Sequence, residues 1–348
     1  MTDQVTWPRV LSALSSRHDL GRDEIRWAMG EVLSGEATPA QIAAFSVLLR
    51  AKGESADEIA ALLEVTLANA TPIDIDREGV DIVGTGGDRA GTVNISTMAA
   101  ITAAGAGARV IKHGNRAASS RSGTADCLEA LGVSLTVPPA RQAEVFATAG
   151  IVFLFAPLYH PSFRFAGPVR KEIGVPTLFN ILGPLGNPAR PAAMAFGVAD
   201  AAMARLVADV LAVRGTRGLV FHGRDGLDEL TTTTTSQVWV VRDGSVSEHE
   251  LDATTLGLAR AGASDLVGGD AAHNAAVARE IFGGASGPVR DVVLLNAAAA
   301  LVAYRGVDDR PLDEQFAEQI GHAARSIDSG AASDTLERWV AASRAASA

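Results

Sequence analysis

Residues 80–104 read VDIVGTGGDRAGTVNISTMAAITAA, and this stretch decides the fold class. Residues 80–83 are a short apolar run of the kind that forms a buried strand. Gly84-Thr85-Gly86-Gly87-Asp88 follows directly, and an alanine-rich helical segment runs from about Asn94 to Ala104. Strand, glycine turn and helix in that order make the opening unit of an α/β sheet. The glycines let the backbone take positive φ and come close to a ligand, while successive N–H groups form an anion-binding nest. The helix start adds free N–H groups, a positive dipole end and the hydroxyls of Ser96 and Thr97. A phosphate or pyrophosphate suits this arrangement, and a bare tight turn is the competing reading of the glycines alone. Two other loops fail on spacing. G-x-G-x-x-G needs glycine at position 89, which is Arg89, and no Gly-Lys dipeptide exists for a Walker A loop.

Outward from this unit the alternation continues. Arg109-Val110-Ile111 reads as a second strand, residues 112–120 (KHGNRAASS) as a polar loop, and residues 124–131 as a helix. Loops at the carboxyl ends of neighbouring strands converge on one crevice in open α/β sheets. The second loop offers an ammonium, a guanidinium, an amide and two hydroxyls. Only Lys52, Lys112 and Lys171 are lysines among 30 basic residues, so Lys112 marks a place for a compact point charge. Residues 151–155 and 218–221 read as further buried strands and 238–241 as an edge strand. The threonine run 231–235 reads as strand rather than linker. Residues 271–304 and 312–346 read as C-terminal helices. The first 72 residues read as four short helices, with capping boxes at Thr38-Pro39-Ala40-Gln41 and Ser55-Ala56-Asp57-Glu58 and a left-handed cap at Gly53.

Composition bounds the function. The chain has 348 residues, 47% of them apolar and 20% charged, which are globular values and suggest roughly two domains. The single cysteine, Cys127, excludes an internal disulfide and suits a reducing cytoplasm; it reads as core. The N-terminus lacks a basic region followed by an apolar one, so no signal peptide is expected. The longest apolar runs are broken by Pro157 and Asn296, so no membrane span is expected. A net charge of −10 argues against a broad nucleic-acid-binding face. Two islands depart from that balance: residues 89–125 carry five basic and no acidic side chains, and residues 145–171 carry three and none. They suit small anions.

Asp225-Gly226-Leu227-Asp228-Glu229 follows the apolar run through Phe221. Mg²⁺ is commonly held by one or two carboxylates plus waters and substrate phosphates. Asp228 and Glu229 are the candidates, aided by Asp88. Arg170, in the second island, presents a guanidinium fork that matches a carboxylate. His160 reads as a packed or capping histidine. The sequence holds no His-Glu-x-x-His and no Gly-x-Ser-x-Gly elbow.

The ordered motifs GTGGD, NISTMA, KHGNRAASSRSGTADCLEALG, HPSFRFAGPVRKEIGVPTLFNILGPLGNP and DGLDE closely resemble the anthranilate phosphoribosyltransferase family, from about residue 8 to 345. The resemblance implies an α/β fold: a small all-helical N-terminal domain, residues 1–72 completed by about 163–185, and a larger domain, 73–162 and 186–348, whose central mixed, mostly parallel sheet is flanked by helices. It implies transfer of a 5-phosphoribosyl group from phosphoribosyl pyrophosphate to the amine of anthranilate, with Mg²⁺ (two ions) and a homodimer joined through the helical domain. By the same resemblance Gly84, Gly87, Asp88, Thr92, Asn94, Ile95, Ser96, Thr97, Lys112, His113, Gly114, Arg116, Ala117, Ala118, Ser119, Ser120 and Thr124 lie around the substrates. Asn115 and Arg170 contact anthranilate, Ser96, Asp228 and Glu229 bind the metal, and His113 relays a proton. Three departures stand out: Gly-Val-Pro-Thr after Ile173, where an Arg often precedes the Thr, the bulk of Phe163, and the threonine run. A pyrimidine-nucleoside-phosphorylase-like enzyme of the same fold is disfavoured by the Lys-His-Gly-Asn-Arg loop and the Arg170 island. A non-catalytic nucleic-acid-binding paralogue is disfavoured by the net charge.

Overall fold

Side-chain caps start the helices where the sequence places them. The structure is a computed structural model that describes residues 4–116 and 121–348. Its first unit takes in the chain up to Pro72 together with Ala156–Pro188. The four expected helices are α1 (Trp7–Ser15), α2 (Arg22–Ser34), α3 (Pro39–Lys52) and α4 (Ala56–Ala68). At α3, Thr38 Oγ1 accepts from the Gln41 N–H at 3.3 Å and Gln41 Oε1 from the Thr38 N–H at 2.9 Å. Ser55 and Glu58 repeat the pattern at α4, at 3.2 and 2.9 Å. Gly53 departs from the expected left-handed cap: its φ of 91° comes with ψ of 119°, which sends the chain directly into the Ser55 cap.

The carboxylate of Glu58 also has a structural task. It accepts from the Leu20 N–H at 2.9 Å and from Lys52 Nζ at 2.7 Å, with both side chains almost fully buried. Burial alone would lower the Lys52 pKa, but Asp19 and Glu58 outweigh it and hold the ammonium charged. The later segment of this unit carries α8 (Ala156–Tyr159), α9 (Gly167–Ile173) and α10 (Phe179–Leu185). Thr71 bonds the carbonyls of Tyr159 and Leu158, at 2.8 and 2.9 Å. Residues 156–162 therefore pack with the helices, although the sequence reading assigns them to the α/β domain.

The second unit, Ile73–Phe155 and Ala189–Ala348, is built on a seven-stranded sheet. Its strands are β1 (Val80–Gly84), β2 (Val110–Gly114), β3 (Ile151–Phe155), β4 (Ala193–Gly197), β5 (Arg217–Gly223), β6 (Thr235–Arg242) and β7 (Ser245–Asp252), in the order β3-β2-β1-β4-β5-β6-β7. The first five pair in parallel; β6 and β7 close the sheet as an antiparallel hairpin. Helices α5 (Ile95–Gly105), α6 (Thr124–Leu131), α7 (Gln142–Ala149), α11 (Ala201–Val213), α12 (Ala271–Phe282), α13 (Pro288–Arg305), α14 (Leu312–Asp328) and α15 (Ala331–Ser347) flank it. Helix α13, buried at every position from 292 to 303, packs on α5, β1, β4 and β5. Cys127 is buried as expected, and burial pushes its thiol pKa up to about 12. Among the described residues no helix is long and apolar enough to cross a membrane.

Four local expectations are corrected. Residues 112–114 belong to β2 rather than to a loop, because they pair with Phe153, Leu154 and Phe155 of β3. Residues 238–241 lie inside the sheet, not at its edge: Asp243 and Gly244, with φ of 51° and 71°, form a hairpin turn that brings back β7 as the outer strand. The polar pattern of β7, SVSEHELD, hid that strand. Strand β4 was missed because Ala-Met-Ala-Phe-Gly is too short and too alanine-rich to separate strand from helix. Of the threonine run, only Thr235 enters a strand.

This order creates a switch point. Strands β2 and β3 run to one side of β1, while β4 and β5 run to the other. Ligands of open α/β sheets bind outside the carboxyl ends of the strands at such a point. Here that means the tips of β1 and β4.

Replacing Glu58 by Ala leaves the buried Lys52 ammonium with the Gly53 carbonyl and, of its two acids, the exposed Asp19. Urea denaturation of Glu58→Ala is expected to show a loss of roughly 3 kcal/mol or more; a loss below about 1 kcal/mol would deny the pair this role.

Candidate active site

The glycine turn leaves β1 at the switch point and is held by its neighbours. The Thr85 N–H donates to Gly197 O of β4 at 3.0 Å, and Thr85 Oγ1 accepts from the Ala199 N–H at 3.1 Å. Gly86 and Gly87 have φ of 68° and 86°, with open space where a side chain would stand. Gly84 is required for a different reason: a Cβ there would lie 2.1 Å from Asp228 Oδ2. At Gly197 it would lie 1.7 Å from the Asp228 carbonyl oxygen. Two glycines on adjacent strands thus make the slot that the Asp228 segment fills. Asp228 Oδ2 accepts from the Gly86 N–H at 2.7 Å, tying the acidic loop after β5 to the turn after β1.

Around this contact the charge is dense and dry. Lys112, 1% exposed, reaches from β2 to the Ile82 carbonyl and to Ser96 Oγ at 3.4 Å, the first of these a short contact. Glu229 accepts from the Ser96 backbone N–H. Burial, then the charge of Asp88, pushes the Asp228 pKa up to about 7. Burial and then Asp228 push Glu229 well above the usual carboxylate range. Burial pulls Lys112 down, against Asp81, Glu229 and Asp228, which act to keep it charged. Two buried acids that resist ionising together, with Asp88 close by and one ammonium beside them, suit a hard divalent cation. Asp228, Glu229 and the Ser96 hydroxyl would hold it, with water and substrate oxygens completing its shell. Among the described residues no group of three or more His, Cys, Asp and Glu forms a metal cage by itself.

The other expected residues divide. Thr92 forms an isolated bridge with Val267. Asn94 does not cap α5; its Oδ1 accepts from Asn274 Nδ2 at 2.8 Å and from Ser122 Oγ at 3.2 Å, and its Nδ2 donates to Ser122 O. Ile95 and Thr97 are buried, with Thr97 Oγ1 unpartnered among the described residues. Thr124 opens α6, and Gly114 ends β2. Asn115 is exposed and takes the Arg116 N–H at 2.7 Å. Arg116 is engaged by Asp126 and Glu129 at 2.8 and 2.9 Å and lies over the Phe155 ring, so its guanidinium is neutralised locally. Ala117, Ala118, Ser119 and Ser120 lie outside the described residues.

His113 is placed unfavourably for the expected relay. It follows Lys112 on an extended strand, so the two side chains leave opposite faces of the sheet. The residue is 2% exposed, and its backbone N–H donates to Asp81 Oδ1 at 3.3 Å. Asn274 and Asn296 were missed by sequence reasoning. Each is a buried asparagine in a helix, and its partners include groups far along the chain.

In the helical unit, Arg170 sits on α9 above the Phe179 ring at 5.5 Å, half-buried and with no carboxylate partner among the described residues. Burial lowers its pKa. Phe163 packs edge-on against Phe179 at 6.0 Å and stacks on His160 at 5.4 Å. His160 Nε2 lies 2.7 Å from Gly186 O, which makes it a packed histidine as expected.

Comparison with known proteins agrees with this geometry. Residues 76–333 match the "Glycosyl transferase family, a/b domain" and residues 8–70 the "Glycosyl transferase family, helical bundle domain". The chain is 57% identical over 339 residues to an anthranilate phosphoribosyltransferase of Arthrobacter sp. (strain FB24), covering 97% of this chain and 96% of the relative. It is 58% identical over 348 residues to that of Acidothermus cellulolyticus, covering 99% and 97%. Among solved structures, the anthranilate phosphoribosyltransferase of Thermus thermophilus superposes with a TM-score of 0.89 at 40% identity, covering 96% and 99%. The Saccharomyces cerevisiae enzyme in complex with PRPP and Mg gives 0.88 at 26% identity, covering 97% and 98%.

Gly197→Ala is expected to lower stability by about 1–3 kcal/mol, because the new methyl meets backbone that has nowhere to go. Gly30→Ala, in the middle of α2 with open space around it, is expected to raise stability by about 0.5–1 kcal/mol. Chemical denaturation of both decides the matter; equal effects would contradict the slot.

Proposed function

The chain belongs to the anthranilate phosphoribosyltransferase family, and we propose that it transfers the 5-phosphoribosyl group of phosphoribosyl pyrophosphate to the amine of anthranilate, releasing pyrophosphate, in tryptophan biosynthesis. The observation that carries this reading is the Gly86 N–H on Asp228 Oδ2. It joins an anion-binding turn to an acidic pair, which is what a diphosphate and its magnesium together require.

The roles follow from the chemistry of each group. The backbone N–H groups of Gly87 and Asp88 and the N-terminus of α5 donate to the phosphoryl oxygens, while the Gly86 N–H stays on Asp228. Lys112 places its ammonium beside Ser96, where it offsets negative charge developing on the leaving group. Mg²⁺, held by Asp228, Glu229 and Ser96, supplies further positive charge to the pyrophosphate when bound; two ions are proposed. As the C1–oxygen bond breaks, the ribose carbon becomes oxocarbenium-like and the aniline nitrogen attacks it. An aryl amine is unprotonated at neutral pH, so no strong base is needed to begin. Positioning and charge neutralisation carry the rate. Arg170 is proposed for the acceptor's carboxylate, since it is a half-buried guanidinium without an acid of its own among the described residues. Asn115 is proposed beside the acceptor, and Thr92, Asn94 and Thr97 around the sugar donor. A homodimer through the helical domain and a cytoplasmic location complete the proposal.

Mixing the protein with anthranilate, phosphoribosyl pyrophosphate and Mg²⁺ is expected to abolish anthranilate fluorescence, and no loss would overturn the reading. Arg170→Ala is expected to raise the anthranilate KM roughly 10- to 100-fold, the worth of a charge-assisted hydrogen bond, with the donor's KM little changed. Equal increases for both substrates would remove Arg170 from the acceptor's carboxylate.

A further inference from the structure

Helix α13 carries one polar side chain in an otherwise apolar run, VVLLNAAAALVA over residues 292–303, all of them buried. A leucine at that point would suit the core of the fold better, because burying an amide is unfavourable unless every polar atom is bonded. Asn296 meets that condition in an unusual way. Its Oδ1 accepts from the Leu230 N–H at 3.0 Å and its Nδ2 donates to the Leu230 carbonyl at 2.8 Å. The second Nδ2 hydrogen goes to Val292 O, one helical turn back, at 2.9 Å. The side chain therefore reads one residue's backbone in both directions, as a neighbouring strand would.

What it grips decides its role. The Leu230 N–H belongs to the peptide that joins it to Glu229, so fixing that plane fixes the backbone from which the Glu229 carboxylate springs. The same loop is held further on, where Thr231 and Thr233 hydroxyls both donate to Asp225 Oδ2 and the Thr231 N–H donates to Ser236 Oγ at 3.0 Å. The threonine run is thus a clasp on the acidic turn, and Asn296 is its anchor in the core. No other side chain bonds the backbone of Leu230 among the described residues.

Resting on the magnesium role proposed above for Asp228 and Glu229, we infer that Asn296 is a positioning residue for the metal: it holds the Glu229–Leu230 peptide so that the two carboxylates are preset before the ion and the sugar donor arrive. Residues that orient metal ligands typically matter 10- to 100-fold in metal affinity. Asn296→Leu keeps the branched shape and removes the grip.

The experiment titrates phosphoribosyl pyrophosphate into wild type and Asn296→Leu by calorimetry over a series of Mg²⁺ concentrations, with the melting temperature of each recorded. The expected result is at least a tenfold higher Mg²⁺ requirement in the folded variant, with an anthranilate KM within about twofold of wild type. An unchanged Mg²⁺ requirement in a folded variant overturns the inference while leaving the functional reading intact. Failure of the wild type to bind the donor at any Mg²⁺ concentration overturns that reading, and this inference with it. Hydrogen exchange on the wild type covers a variant that does not fold. The Leu230 amide is expected to be protected in the ligand-free chain, and exchange at the rate of an exposed amide overturns the inference.

Discussion

Two buried carboxylates and one buried ammonium, with Asp88 beside them, meet at the point where the sheet changes direction, and the rest of the α/β unit is arranged around that difficulty. Burial raises the pKa of Asp228 and of Glu229, and the charge of Asp88 on the first and of Asp228 on the second raises them further. Left alone, such a group would protonate or move apart. It is held by short-range means: the Gly86 N–H on Asp228, the Ser96 N–H on Glu229, and Lys112 threaded between β1 and α5. The glycines at 84 and 197 follow from the same constraint, because any side chain there would occupy the position of Asp228.

The distribution of cations has a similar logic. The five basic side chains of residues 89–125 do not form one binding face. Arg109 lies over the Phe146 ring and near Asp76, and Arg116 is taken by two acids of α6. Lys112 remains at the site. Its thin stem can run along a strand to deliver a compact charge, where a guanidinium fork would demand room and several acceptors. In the helical unit Arg170 keeps its charge against an aromatic ring rather than against an acid. A basic island in the sequence therefore locates a region, and only the pairing shows which cation is available.

How much of this was legible in the sequence depended on how far apart the partners are. Capping boxes at Thr38 and Ser55, the glycine turn after β1 and the helix after it are local, and their chemistry is written within a few residues. Strand β4 was not legible, because five consecutive buried residues carry no periodicity. The hairpin of β6 and β7 was hidden by polar residues on an exposed outer strand. The sequence places Lys112 at the head of a polar, glycine- and serine-rich loop; that a strand can bury it rests on Asp81, Glu229 and Asp228, which lie far along the chain from it or on another strand. The threonine run looked β-branched and strand-like, yet its hydroxyls serve Asp225. Asn274 and Asn296 act on residues 180 and 66 positions away, which no local pattern could reveal.

The claim on which the whole account turns is that the turn after β1 and the acidic loop after β5 form one receptor for a diphosphate and its cation. A crystal of the protein soaked with phosphoribosyl pyrophosphate and Mg²⁺ tests it most directly. The account predicts diphosphate density against the N–H groups of Gly87 and Asp88, with a metal peak between that density and the carboxylates of Asp228 and Glu229. Donor density elsewhere, with both loops facing bulk solvent, would contradict it.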